Sequence, residues 1–226
     1  MLSISLVLYK ADWEKEVEPL LLELHQVRGL DRVFVRDNSI EENIGYGAGH
    51  NRALRATKSR YHLVLNSDIL VHHEDIERMV DYLEAHPDVV ALMPHVLCPD
   101  GSYQGLCRTL PTPGDLIRRR FLHKPSRNVI PEADIPPEGL DIPYLSGCFM
   151  LLRMDAVREV GYFDERFFMY PEDMDLSRRL HEIGRTLYWP QVSVIHNHAQ
   201  ASYHSLRMLI IHIVNMCRYF NKWGWK

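Results

Sequence analysis

Short apolar runs alternate with amphipathic stretches along the first hundred residues. Residues 3–9 form a nearly continuous β-prone run, the pattern of a strand covered on both faces. Residues 13–27 carry Val17, Leu20, Leu21, Leu24 and Val27 at helical spacing, with Gly29 as a stop signal. A second strand is predicted over 32–36, ending in the polar turn Asp37-Asn38-Ser39. A glycine-rich loop over 43–51 leads into a helix over 51–56. The next strand, 61–65, runs into Asn66-Ser67-Asp68. Then come a helix over 73–85, stopped before Pro87, and a strand over 89–93. Strands alternating with helices predict an α/β fold, with a mostly parallel central sheet flanked by helices and right-handed crossovers.

The pattern changes at residues 110–143, where seven prolines and the run Arg118-Arg119-Arg120 predict a long, partly irregular surface loop. Order returns with an apolar run over 144–153, broken at Ser146-Gly147, and a short helix over 154–160. Four large apolar residues, Phe167 to Tyr170, precede Pro171-Glu172-Asp173-Met174-Asp175. A helix then reaches about residue 183, with Leu176, Leu180 and Ile183 on one face and Gly184 at its C′ position. Final strands are expected over 187–189 and 192–196. Residues 1–202 read as one domain. Residues 203–226 read as an amphipathic helix that either belongs to that domain or makes a membrane or dimer contact.

Composition narrows the picture. The chain has 226 residues, 46% hydrophobic and 25% charged, enough for one core without staples. A net charge of -4 argues against general nucleic-acid binding. The four cysteines form no CxxC pair, so a disulfide framework or structural zinc is not expected, and reduced thiols fit a cytoplasmic protein. The first residues read as a strand rather than a signal peptide, and no stretch reaches the ~18 apolar residues of a membrane span.

Ligands of open α/β sheets bind beyond the carboxyl ends of the strands. Asp37-Asn38, Asn66-Ser67-Asp68 and Glu172-Asp173-Asp175 are all expected at such ends, converging on one edge. Asp37 either accepts hydrogen bonds from a nucleotide or closes an Asx turn. Gly45, Gly47 and Gly49 either admit an anion to the following helix N-terminus or simply form a turn; no Walker pattern is present. Asp68 either holds a hard cation or caps a helix. Glu172 and Asp173 either offset a helix dipole or supply a general base. His196 and His198, at the last strand's end, are further metal-ligand candidates among 13 histidines.

Five pieces occur in a telling order: Asp37-Asn38-Ser39; Asn43-Ile44-Gly45-Tyr46-Gly47-Ala48-Gly49-His50-Asn51; Leu65-Asn66-Ser67-Asp68; Ser146-Gly147-Cys148; and the run from Gly161 through Tyr170-Pro171-Glu172-Asp173 to Leu176. Over residues 3–198 this set resembles inverting family-2 glycosyltransferases of the GT-A fold, particularly the rhamnosyltransferase-like branch. The resemblance implies a nucleoside-diphosphate sugar, dTDP- or UDP-linked, as donor. Asp37, Asn38, Asn43, Gly45, Tyr46, Gly47, Asn51, Asn66 and Ser67 would hold it. Asp68 matches the last acid of the family's Asp-x-Asp motif and, with His196, would hold Mn²⁺ or Mg²⁺. Asp173 matches the catalytic base with Glu172 beside it, and Ser146, Gly147 and Asp175 would line the acceptor side. The implied reaction moves a sugar, rhamnose by branch, to a hydroxyl of a saccharide or lipid-linked saccharide in bacterial surface polysaccharide synthesis. The implied location is cytoplasmic, peripheral at the inner face of the plasma membrane. Three departures stand out: Asn66 replaces the motif's first acid, Leu8-Tyr9-Lys10 replaces Thr-Tyr-Asn, and the segment between Ser39 and Asn43 is short. The alternatives are a nucleotidyltransferase of similar fold and a non-catalytic sugar-nucleotide-binding module.

Overall fold

The structure is a computed structural model and describes residues 1–121, 126–197 and 206–225. One sheet in the order β2-β1-β3-β7-β5-β8-β4 organises the chain, with β6 also paired to β8. β1 (Leu2–Leu8) lies between β2 (Leu30–Asp37) and β3 (Tyr61–Leu65), parallel to both. β5 (Val89–Leu97) and β8 (Arg185–His196) are also parallel to each other. β7 (Phe149–Arg153) runs antiparallel between β3 and β5. The five longer parallel-type strands therefore point one way. β7 and the two-residue strands β4 (Ile69–Leu70) and β6 (Leu140–Asp141) are reversed.

The reversed strand matters for the site. Phe149 opens β7 opposite Leu65, the last residue of β3. The residues entering β7 therefore meet those leaving β3, and the Asn66 N–H donates to the Cys148 carbonyl at 3.0 Å. Ser146-Gly147 and Asn66-Ser67-Asp68, far apart in sequence, share one sheet edge.

β1 is buried on both faces, as its apolar run predicts, yet Ser3 and Ser5 are buried too. A hydrogen-bonded line accommodates them. It runs from His50 Nδ1 to Ser5 Oγ (2.7 Å) and on to His62 Nε2 (2.8 Å). From His62 Nδ1 it continues to Ser3 Oγ (2.7 Å) and ends on Thr57 Oγ1 (2.8 Å). Burial without loss of partners is the condition for tolerating polar groups in a core.

Several elements differ from the sequence expectation. The helix after the glycine segment, α2 (Tyr46–Ala56), starts five residues earlier than predicted, so Gly47 and Gly49 are helical. Packing explains them: a Cβ at Gly47 would sit 2.9 Å from the Phe163 Cβ, and one at Gly49 2.8 Å from Val7 Cγ2. Close approach offsets the roughly 1 kcal/mol that helical glycine costs against alanine. The helix predicted over 13–27 is a π-helical turn, Trp13–Val17, followed by α1 (Glu18–Leu24). The proline-rich segment holds α4 (Pro113–Phe121), a 3₁₀ turn at Glu132–Asp134 and β6. The two final strands are one, β8, with a register shift where Trp189 and Ser193 face Pro94 and His95. α3 (His73–Ala85) and α5 (Met154–Val160) have the predicted bounds. α6 (Glu172–His181) carries the acid cluster in its first turn, so these acids follow no strand, contrary to the sequence expectation, because α5 and a turn separate them from β7. α7 (Leu206–Trp223) packs Met216, Tyr219 and Phe220 on Phe167 and Met174, a small core beside the main one.

Candidate active site

Tyr46 is the hub. It is the first residue of α2, and its entry is fixed by three contacts. Gly45 has φ +91° with its N–H capped by Asn43 Oδ1 (3.1 Å). Asn38 Nδ2 donates to the Gly45 carbonyl (3.2 Å). The Tyr46 N–H donates to the Phe168 carbonyl (3.0 Å). A side chain at Gly45 would collide with that carbonyl, its Cβ 2.4 Å from the oxygen, so glycine is required on two grounds. The Tyr46 hydroxyl lies 3.0 Å from Asn66 Oδ1 and 2.7 Å from the Gly147 carbonyl. Burial, and the acids around it, hold this phenol well above its ordinary value, so it stays a neutral hydrogen-bond donor.

Gly147 continues the line. Its N–H donates to Asp173 Oδ2 at 2.9 Å, while the Met174 N–H donates to Asp173 Oδ1 at 2.7 Å. Burial raises the Asp173 carboxyl to about 6, against the pull of these two N–H groups and of Arg108. Beside it, Glu172 Oε2 is buried with no hydrogen-bond partner among the described residues. Burial, then the charge of Asp173, pushes Glu172 well above the usual carboxylate range. The two adjoining carboxyls are thus both raised, chiefly by burial.

At the end of β3, Asp68 meets His196 from the end of β8, with Oδ1 3.3 Å from Nε2. The other ring nitrogen, Nδ1, lies 2.8 Å from Gln104 Oε1, and Gln104 Nε2 donates to the His196 carbonyl. Burial opposes charge on this ring, but Asp68 and Cys148 outweigh it and raise it to about 10. Gln104 orients the imidazole so that Nε2 faces the carboxylate; as it stands the ring is a protonated partner of Asp68, and a metal ion would have to displace that proton. Two ligands at right angles on a ~2.1 Å ion sit about 3 Å apart, so the pair fits a divalent ion completed by ligand oxygens. Elsewhere among the described residues, Glu23, His73 and Glu74 also bring ligand atoms within 4.8 Å of one another. Glu23 there accepts from the His73 backbone N–H at 2.6 Å and caps α3.

The structure thus gathers Tyr46, Asn66, Asp68, Gly147, Glu172, Asp173 and His196, with Ser67 and Ser146 half-buried at the same edge. Other expected site residues serve the frame. Asn51, placed on the donor side from sequence, is fully buried. It donates to the Phe163 carbonyl (2.9 Å) and Glu165 (2.8 Å) and accepts from the Phe163 N–H (3.0 Å), so no polar atom is left for a ligand. Asp175, placed on the acceptor side, is also 0% exposed. Lys222 Nζ (2.6 Å), Arg179 Nε (2.9 Å) and Trp223 Nε1 (2.8 Å) occupy its oxygens, and it ties α6 to α7. Asp37 accepts from the N–H of Ser39 at 2.7 Å and from its hydroxyl, both at Oδ1, which forms the Asx turn and leaves the half-buried residue able to face a ligand with Oδ2. Gly47 is a packing position, as above. His198 lies outside the described residues. Gln104 and Arg108, in the segment after β5, escaped sequence reasoning because a lone Gln or Arg in an irregular segment carries no pattern.

Comparison with known proteins identifies the family of the chain. Residues 16–161, more than half of the chain, match the family described as glycosyl transferase family 2. The N-acetylglucosaminyl-diphospho-decaprenol L-rhamnosyltransferase of Mycobacterium tuberculosis is 29% identical over 71% of this chain and 58% of its own length. The rhamnosyltransferase WbbL of Escherichia coli K12 is 30% identical over 67% of this chain and 61% of its own. The chain therefore spans less than two thirds of either relative. Among solved structures, a mannosyltransferase of Pyrobaculum calidifontis, in complex with GDP-Man and Mn²⁺, superposes with a TM-score of 0.59. It is 15% identical over 96% of this chain and 64% of that one. GalNAc-T7 with UDP, GalNAc and Mn²⁺ gives 0.58 at 14% identity, over 86% and 43%. These two share the GT-A fold of the chain, and the family match carries the rest: the chain belongs to glycosyl transferase family 2.

Proposed function

We propose that the chain is a metal-assisted, inverting glycosyltransferase that moves a sugar, rhamnose in our reading, from a nucleoside-diphosphate donor to a hydroxyl of a lipid-linked saccharide. The observation that carries the proposal is the hydrogen-bonded line Asn66–Tyr46–Gly147–Asp173. It fixes a buried carboxyl of raised pKa relative to the edge that carries Asp68 and His196. The names of the mycobacterial and Escherichia coli relatives support rhamnose, and the mycobacterial name supports a lipid-linked acceptor.

The carboxyl of Asp173 takes the proton of the acceptor hydroxyl as that oxygen attacks the anomeric carbon from the face opposite the leaving diphosphate. Its value near 6 leaves it mostly ionised at neutral pH yet basic enough to help, and general-base assistance is worth about 10²–10⁴-fold. The Gly147 and Met174 N–H groups hold the carboxylate in place. Neutral Tyr46 keeps the Gly147 peptide in register with Asn66. Asp68 and His196 would hold Mn²⁺ or Mg²⁺, which would neutralise charge on the departing diphosphate.

The test is thermal stability against UDP-, dTDP- and GDP-sugars with and without each ion, followed by turnover. A true donor at about 100 times its Kd should stabilise by roughly 2.7 kcal/mol, and only with metal present. A shift that ignores metal removes the Asp68–His196 assignment. Donor binding without turnover against any lipid-linked saccharide favours the binding-module alternative.

A further inference from the structure

α7 has two unlike faces. The inner one buries Asn215, Met216, Tyr219 and Phe220. It is bolted to the segment that carries the acid pair: Asn215 Nδ2 donates to the Met169 carbonyl at 3.0 Å, and Lys222 and Trp223 hold Asp175. The outer face is open. Leu206 is 74% exposed, Ile210 54% and Ile213 48%, with Val214 and Cys217 exposed beside them. Positions 206, 210, 213, 214 and 217 fall on one side of a helix. At 18 residues the helix is about 27 Å long.

Charge says what covers this stripe. No Asp or Glu occurs after Glu182, although the whole chain is net -4. Lys222 turns inward to Asp164 and Asp175. Arg207 is exposed on one flank of the stripe, and Arg218 beside it is exposed while its Nη1 donates to the Arg166 carbonyl and to Asn215 Oδ1; Trp225 is exposed just past the helix end. A second copy of α7 would bring arginine towards arginine, with no acid on either helix to answer. An anionic surface answers both arginines. No helix among the described residues is long and apolar enough to cross a membrane, so the fitting geometry is in-plane.

We propose that the outer face of α7 seats on an anionic lipid surface. Leu206, Ile210, Ile213 and Val214 enter the headgroup–acyl boundary, and Arg207 and Arg218 meet the headgroups. Because the inner face is fastened to α6, lipid contact sets the height of Asp173 above the bilayer. The proposal needs no glycosyl transfer to be true, and its test uses none.

Co-sedimentation of the whole chain is measured with phosphatidylcholine vesicles and with vesicles that also contain phosphatidylglycerol. Wild type should sediment with the anionic vesicles and stay in solution with the neutral ones. Ile210→Glu/Ile213→Glu changes two exposed residues and should keep the thermal melt while weakening anionic-vesicle binding by roughly tenfold or more. Arg207→Ala/Arg218→Ala should weaken it several-fold. Wild type that ignores both vesicles overturns the proposal. So does a double-Glu variant that sediments like wild type. A solution dimer that the double-Glu variant dissolves also overturns it, and assigns the face to a second copy.

Discussion

Two buried polar clusters lie on either side of Tyr46, and they are built on opposite plans. The line threaded through β1 (His50, Ser5, His62, Ser3, Thr57) is neutral and, among the described residues, leaves one buried atom without a partner, His50 Nε2. Burial holds His62 down to about 3 and His50 well below its ordinary value. The head of α6 instead keeps two adjacent carboxyls in the dark, one oxygen without a partner, both raised. Two residues further on, Asp175 is equally buried yet answered by three donors. Each cluster holds one unpartnered buried atom among the described residues, His50 Nε2 and Glu172 Oε2, so the difference between them lies in charge: two depressed imidazoles against two raised carboxyls.

The two plans respond to acid with opposite sign. A histidine depressed by burial contributes stability above its unfolded value near 6.5, and that stability is lost as pH falls towards 3. A carboxyl raised by burial favours the fold at low pH, and that contribution is lost as pH rises from its unfolded value near 3.9 through about 6. The largest expected effect breaks the second plan. Asp173→Asn should lower kcat by about 10²–10⁴-fold, and because the amide can accept from only one of the two N–H groups that the carboxylate holds, a control melt should show no more than about 1–3 kcal/mol of lost stability. It should also erase a rise in activity through pH 6; a variant that turns over normally removes the base. Lys222→Met tests the contrast with Asp175. Leaving a buried charge short of a partner should cost about 3 kcal/mol in a denaturant melt, and an unchanged midpoint would show that Arg179 and Trp223 suffice. Gln104→Ala should weaken Mn²⁺ affinity by about 10–100-fold in calorimetry without unfolding the protein. Smallest is Ser5→Ala, which should cost about 1–3 kcal/mol yet leave the pH profile of turnover where it was. A shifted profile would tie the neutral line to the chemistry.

Periodicity located the strands and helices well where the apolar pattern was long, as in β3, α3 and α5. It failed at α2 because glycine reads as a breaker, whereas Gly47 and Gly49 are small for the sake of Phe163 and Val7, contacts that no local window contains. It failed for β8 because Pro190 splits a strand that only shifts register there. The candidate site was legible as residue types and order, Asp68 and Asp173 among them. The division of labour was not: Asp173 and Asp175 look alike in sequence, and only the arrival of α7 separates them. Asn51 sits within the same motif as Tyr46 and faces Phe163 instead.

The reversed strand β7 also sets a timetable. Its partners β3 and β5 precede it by many residues, and β8, which closes the other side of β5, comes later still. A chain emerging in order must hold β5, an apolar strand buried along nearly its whole length, with open edges until Phe149 and then Arg185 have been made. Pairings this distant close slowly, and exposed strand edges recruit neighbours. The insertion that brings Gly147 to Asp173 therefore leaves the nascent chain open to aggregation during the interval before β8 docks, and truncations ending before residue 185 should collect in inclusion bodies.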